Sequence, residues 1–453
     1  MKLKCDVAVA EIGSTTTILS LFSDIGNASP HLIAQGESLT TVLNGDASTG
    51  VERAIDNIRK KEKVDDVEWD MFLASSSAAG GLKMTVHGLV YDMTVKAAKE
   101  AAMGAGAIIM KITAGKMSRE DLKSVRRIRP NIILLAGGVD YGETETVLHN
   151  ADLICSLGLN VPVIYAGNVA IADRISNMLE RAGIRVMVTE NVYPKIDMLN
   201  VKPTREIIRK VFAQHIIHAP GMEKIADIVD KDIIPTPAAV MDATTLLSEM
   251  YGDVMTIDIG GATTDVDSVT DGSPEIREIM TSPEPHEKRT VEGDLGVFIN
   301  APNVIKLMSK DELSDYDVDQ LLKDGNAIPT NEFEERFTCN LAAFAARVAV
   351  ERHAGERTFL YSPAGRVEIA SGKDLTAINH IFGTGGVLTR SHCSKDVLEK
   401  IKQDKPFTRK LLPPSSAALY IDREYIFAPI GILSRVDKRS ATTLLRADLK
   451  RIG

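Results

Sequence analysis

Residues 258–265 read Asp-Ile-Gly-Gly-Ala-Thr-Thr-Asp, between the apolar runs VMTI at 254–257 and VDSV at 266–269. This is a strand ending in an acid, a glycine turn with hydroxyls, and a second strand. Glycine lets the turn close tightly, so that backbone N–H groups can face an anion. Asp258 then suits an indirect metal or water-positioning role. Gly260 and Gly261 are the close-approach backbone, and Thr263 and Thr264 are candidate phosphate donors. Asp265 either holds magnesium-associated water or caps the turn. The bland alternative for each acid is an Asx-type turn or a solvated strand end.

The same design opens the chain. DVAVA at 6–10 reads as a buried strand, Glu11 follows at its end, and Gly13-Ser14-Thr15 turns into a strand over 18–22. One such run is a common turn. Two copies roughly 245 residues apart suit two related domains in tandem. A third glycine site, Gly383-Thr384-Gly385-Gly386, ends a strand expected at 379–382. Its glycines would pass the backbone beneath a nucleoside, where a side chain would collide with the ribose or base. The expected division is 1–230 and 231–453, with the C-terminus returning to the first half.

Between these blocks, helices are expected over 51–60, 95–107 and 331–355, and a strand over 71–74. From 131 to 190, strand, helix and strand alternate, as in a mostly parallel sheet. The intervals 282–302 and 310–326 read as surface loops or insertions. The tail SRVDKRSATTLLRADLKRIG at 434–453 has an amphipathic helical pattern.

The 453 residues, 44% hydrophobic and 25% charged with a formal charge of -9, support two or three domains with their own cores. Mild acidity and 5% aromatic residues with one Trp argue against nucleic-acid binding. No apolar stretch approaches the ~20 residues that cross a bilayer, and the opening residues lack a signal-peptide run. Cysteines 5, 155, 339 and 393 form no CxxC pair, which argues against a disulfide scaffold and for a reducing, cytoplasmic setting. Nine histidines give no HExxH; His392 and Cys393 are adjacent but lack further zinc ligands. SSSAAGG at 75–81 reads as a phosphate-contacting or close-packed turn, and Lys83 as an ordinary exposed lysine. LLAGGVDYGETE at 134–145 reads as a strand-to-helix turn, with Glu143 and Glu145 favouring the helix start, against the alternative of a nucleotide-edge or partner loop.

The three glycine blocks resemble the phosphate-1, phosphate-2 and adenosine motifs of the actin, Hsp70 and sugar-kinase superfamily. EIGSTTT, ASSSAAGGLKM, LLAGGVDYGETE and DIGGATTD are more closely similar to the MutL/GlmL family associated with glutamate mutase, which is not the mismatch-repair protein of that name. The resemblance implies duplicated RNase-H-like α/β domains around a nucleotide cleft, binding ATP and magnesium. It places Gly13, Ser14 and Thr15 on phosphate-1, Asp258, Gly260, Gly261 and Thr263 on phosphate-2, and Gly383, Gly385 and Gly386 on the adenosine motif. Glu11, Asp258 and Asp265 become the candidate magnesium residues, with Glu11 and Asp258 positioning water. The usual opening acid is aspartate, so Glu11 sets its carboxylate about one methylene further out.

The family implies a slow ATPase switch that helps an adenosylcobalamin-dependent mutase or aminomutase exchange damaged cobalamin. No DxHxxG motif marks a cobalamin-binding subunit, and no cysteine set suits an iron–sulfur cluster. The alternatives are a small-molecule kinase of the same superfamily and a noncatalytic nucleotide-binding scaffold.

Overall fold

The structure is a computed structural model that describes residues 2–41, 46–77, 82–217, 221–362, 365–403 and 408–453. Its strands, in chain order, begin with β1 (Lys2–Ile12), β2 (Thr16–Ser23), β3 (His31–Leu39) and β4 (Asp66–Ser76). β5 (Leu82–Gly88), β6 (Ala107–Ala114), β7 (Ile132–Leu135), β8 (Val163–Tyr165) and β9 (Val186–Val188) follow. Then come β10 (Ile234–Pro235), β11 (Val254–Ile259), β12 (Thr264–Val269) and β13 (Glu287–Glu292). The last are β14 (Glu356–Ser362), β15 (Gly365–Ser371), β16 (His380–Thr384), β17 (Ala418–Asp422) and β18 (Leu449–Arg451).

Two compact units result, one of residues 1–79, 219–281 and 286–453, the other of 80–218 and 282–285. Within the first of these units the first and last parts of the chain share a core. Val7, Val9, Phe22 and Leu73 of the first sheet cluster with Leu246, Val254, Phe382, Phe427 and Leu445. The amphipathic tail spends its apolar face here: helix Lys438–Asp448, capped by Asp437, buries Ala441, Leu444 and Leu445.

The first unit contains two large sheets of one plan. The order β3-β2-β1-β4-β10 has β1, β2 and β3 antiparallel, then β1, β4 and β10 parallel. The order β13-β12-β11-β16-β17 repeats this, with β18 added antiparallel at the edge. Each central strand, β1 or β11, therefore delivers its acid-glycine turn to the carboxyl ends of the parallel strands. Helix Glu332–His353, capped by Asn331, closes the second sheet with Ala342, Ala345, Ala346 and Ala349 against Met255, Ile257 and Ile259. Small side chains let that helix lie close to the strands.

Two intervals expected to be loops are ordered elements. Residues 287–292 form β13, which its charged sequence EKRTVE disguises, and 310–326 holds the short capped helices Lys310–Leu313 and Val318–Asp324. Cys339 and Cys393 form a disulfide 54 residues apart in sequence, which spacing alone could not indicate because helix packing brings them together.

The second unit is a parallel sheet in the order β6-β5-β7-β8-β9. Its core holds Ile133, Leu135, Val163 and Tyr165 against Val147, Ile154, Ile175 and Leu179 from the intervening helices. The alternation read over 131–190 is present. β5 and β6 are additional, and the helix expected over 95–107 runs over Lys96–Gly104. No helix among the described residues is long and apolar enough to cross a membrane.

Candidate functional site

The turns after β1 and β11 close with the same bond. Gly13 N–H donates to the Thr16 carbonyl and Gly260 N–H to the Thr263 carbonyl, each at 2.9 Å. In the first turn Thr40 secures the carbonyl side, with its hydroxyl donating to Gly13 O at 2.8 Å and its N–H to Thr15 O at 2.9 Å. In the second, Phe298 and Ile299 N–H donate to Gly261 O at 2.9 and 2.7 Å, and the Asn300 amide donates to Ala262 O at 2.7 Å. Holding the carbonyls this way orients a turn's amide side for an anion.

The turns meet, and the third glycine site joins them. A Cβ at Gly261 would stand 2.6 Å from the Thr15 hydroxyl oxygen. Gly385, at φ +94°, would put a Cβ 2.4 Å from Ile259 O and 2.8 Å from an Asp258 carboxylate oxygen. Gly386 begins helix Gly386–Arg390 with open space where a Cβ would lie. Gly383 instead packs against Leu388 and Leu398, a structural contact. Ser14 donates to Ser77 O at 3.4 Å, and the Thr15 hydroxyl is buried with no hydrogen-bond partner. Thr263 hydrogen-bonds Asp265. Thr264 turns inward and donates to Leu295 O at 2.6 Å, so its hydroxyl is engaged in the core.

The acids occupy a costly environment. Burial, then the charge of Asp258, pushes Glu11 up to about 8, against the pull of Arg390. Burial, then Asp265, pushes Asp258 up to about 7, against Arg289. One Glu11 carboxylate oxygen has no hydrogen-bond partner. Such groups ionise fully only when a cation or donor-rich ligand compensates them. Asp265 has an ion-pair partner: Arg289 Nη2 lies 3.3 Å from it, and Arg289 Nε 3.8 Å from Asp267. Among the described residues, no three Asp, Glu, His or Cys side chains gather closely enough to hold a metal by themselves. The donor set therefore fits magnesium that arrives with phosphate and water oxygens, not a cage of protein carboxylates.

Arg289, Arg390 and Tyr425 were not singled out in the sequence. Arg390 bonds Glu37 at 2.6 Å and lies 5.7 Å from the Tyr425 ring centre. Burial, and then the nearby Glu11 and Asp258, holds the Tyr425 phenol well above its ordinary range. Only Arg289 left a trace: Asp265 and Asp267 alternate on β12, so both point to one buried face and call for a cation.

Beneath the third turn, Asp422 accepts from the Thr384 hydroxyl at 2.6 Å and from the Ile426 and Phe427 N–H groups at 2.8 and 3.0 Å. Asp448, on the last helix, accepts from the N–H groups of Arg423 and Glu424 at 3.0 and 2.8 Å and shares a hydrogen bond with Asp422. Burial raises both carboxyls, and the facing Asp422 charge helps push Asp448 up to about 8, so the pair holds a proton well above the ordinary carboxylate range. The folded state thus binds a proton that the unfolded chain releases near pH ~4. Its stabilisation is complete below that range and is lost as pH rises through the raised value. The melting temperature should fall from about pH 5 to about pH 8, and Asp448→Asn, which keeps a donor, should flatten that fall. Parallel slopes for the two proteins would remove the pair as the cause.

Other motifs have local duties. Glu143 accepts from Thr146 N–H at 2.7 Å before helix Glu145–Cys155. Ser75 is buried and bonds the Thr236 hydroxyl at 3.1 Å, while residues 78–81 of the SSSAAGG stretch lie outside the described residues. Lys83 is exposed. Cys393 is bonded to Cys339, so its sulfur is no partner for His392 on a metal.

The fold and site define an α/β protein with paired acid-glycine turns. The family model described as "MutL protein" matches residues 7–449. Protein MutL of Clostridium tetanomorphum is 35% identical over 460 residues, spanning 98% of each chain. The chain belongs to the MutL protein family. Among solved structures, nucleotide-free acetone carboxylase aligns with a TM-score of 0.38 at 10% identity, covering 95% of this chain and 70% of that one. A nucleotide-free diol dehydratase-reactivating factor gives 0.36 at 11% identity, covering 95% and 99%. At such scores the fold rests on the strand order itself.

Proposed function

We propose that the chain is an ATP-dependent accessory factor, of the GlmL kind, for an adenosylcobalamin-dependent mutase or aminomutase. The observation that carries the nucleotide part is the convergence of three turns: Thr15 against Gly261, and Gly385 against Asp258. The two sheets of one strand plan support an actin-like ATPase fold in which the halves 1–230 and 231–453 are the related lobes. Family membership, with the motif resemblance, supports the mutase as partner.

In this reading Gly13, Ser14, Thr15, Gly260, Gly261 and Thr263 hold the phosphates, and Gly385 and Gly386 face the nucleoside. Magnesium bound with the nucleotide would supply neutralisation of phosphate charge, and Glu11 and Asp258 would orient water there, ionised beside that charge. Loss of the γ-phosphate removes part of the link between the turns and shifts the partner-binding population. The chain then acts in the cytoplasm as a slow switch.

The deciding experiment is cofactor exchange. A mutase blocked by tightly held, damaged cobalamin receives the chain, magnesium-ATP and fresh adenosylcobalamin. Recovery of mutase activity with release of the old cobalamin is expected. Rapid phosphorylation of a small acceptor, with no effect on any mutase, would establish a kinase instead.

A further inference from the structure

We infer that the carboxyl edge of the β6-β5-β7-β8-β9 sheet is a preformed docking platform for a protein surface with apolar side chains inside a lysine- and arginine-rich rim. The mutase is its expected bearer, and this assignment rests on the function proposed above. All strand pairs in the sheet are parallel, so the segments that follow β5, β7, β8 and β9 emerge along one edge. Each carries a large apolar or aromatic side chain into solvent. Tyr91 is 58% exposed, Tyr141 83%, Val169 52% and Ile196 71%. Single exposed apolar residues are ordinary; here four segments along one edge each present one.

The platform is rigid through buried polar groups. The fully buried Asn168 side chain accepts from Tyr141 N–H at 2.9 Å and from Ala170 N–H at 3.0 Å. Asp140 accepts from Val169 N–H at 3.0 Å and from the Asn191 amide at 2.9 Å, and its own N–H donates to Pro194 O at 3.0 Å. Three segments are thereby locked to one another. Tyr141 itself sits at φ +60°, a left-handed conformation uncommon for a bulky residue, with its side chain mostly in water. Strain that presents an aromatic ring to solvent gains nothing inside the chain and suits a contact outside it.

Charge selects the occupant. Segments 89–92, 115–118, 136–143, 166–170 and 189–200 contain Asp92, Asp140, Glu143, Glu190 and Asp197 against two basic residues, Lys116 and Lys195. Exposed apolar side chains among carboxylates favour a partner with a cationic rim, and preformed aromatic anchors are what such interfaces concentrate their energy on.

The test titrates the full-length chain with a purified adenosylcobalamin-dependent mutase or aminomutase, for the parent and for Tyr141→Ser/Ile196→Ser. Both side chains are exposed, so thermal melting should be unchanged. Binding should weaken about tenfold or more, and parental binding should weaken as salt is raised. A variant that binds within about twofold of the parent overturns the platform and leaves the proposed function standing. Salt-insensitive binding overturns the cationic rim. A parent that binds no mutase overturns the partner reading and this assignment together.

Discussion

Asp258→Asn should lower magnesium-dependent phosphate release by about two to three orders of magnitude in a chain that remains folded. The carboxylate stands near the end of β11, half-buried beside Asp265, with its ionisation pushed up to about 7. In the absence of nucleotide its charge is therefore a burden on the fold. The amide of Asn keeps the shape and removes that burden, so the nucleotide-free variant should melt no lower than the parent. In the proposed function, the same change with magnesium-ATP would remove a group that positions water. Opposite signs for stability and turnover distinguish a functional acid from a structural one. Phosphate release and melting temperature should be measured on the same preparation. A variant that hydrolyses ATP at the parental rate, or loses stability together with activity, refutes the role.

Gly385→Val should abolish measurable nucleotide binding and lower the melting temperature, whereas Gly386→Ala should leave the melting temperature nearly unchanged. At Gly385 the backbone has φ +94° and ψ 153°, a combination essentially restricted to glycine. Any Cβ there would lie 2.4 Å from Ile259 O and 2.8 Å from Asp258, driving the third turn off the second. Backbone strain alone costs about 1–3 kcal/mol, so a lower melting temperature should accompany the lost affinity. One residue later a Cβ meets nothing within 4 Å, and Gly386 is the first residue of a helix, where alanine is favoured. Nucleotide titration of the two variants, with melting as the control, checks the contrast. Equal loss of melting temperature at both positions would show that the turn is merely fragile.

How much of this was written in the chain depends on how local the cause is. Both acid-glycine turns were legible because a strand, an acid, a glycine and hydroxyls fit in eight residues. Their meeting was an inference from repetition, and Gly261 against Thr15 gives it a contact. Gly383 and Thr264 carried the right residue types but turn into packing, because a motif does not say which neighbour reaches it first. Arg289 could not be placed from its own surroundings: EKRTVE looks solvent-facing until Asp267 is found directly across the ladder. β5 and β6 escaped because the alanine-rich stretch between them dominated the local pattern. The disulfide and the Asp422–Asp448 pair depend on approaches between distant helices and strands, which spacing does not encode.

The core that joins Val7, Val9 and Phe22 to Phe427 and Leu445 bears on how the chain is made. At ~5–20 residues per second on a ribosome, the first strands emerge tens of seconds before the helices that cover them. For that interval β1 and β2 expose apolar faces that nothing yet synthesised can fully bury. Residues 80–218, almost all of the other unit, are contiguous and can condense as they appear. Synthesis should therefore yield a folded middle before a folded beginning. Nascent chains arrested before residue 427 should offer the first strands, not the middle, to chaperones and proteases.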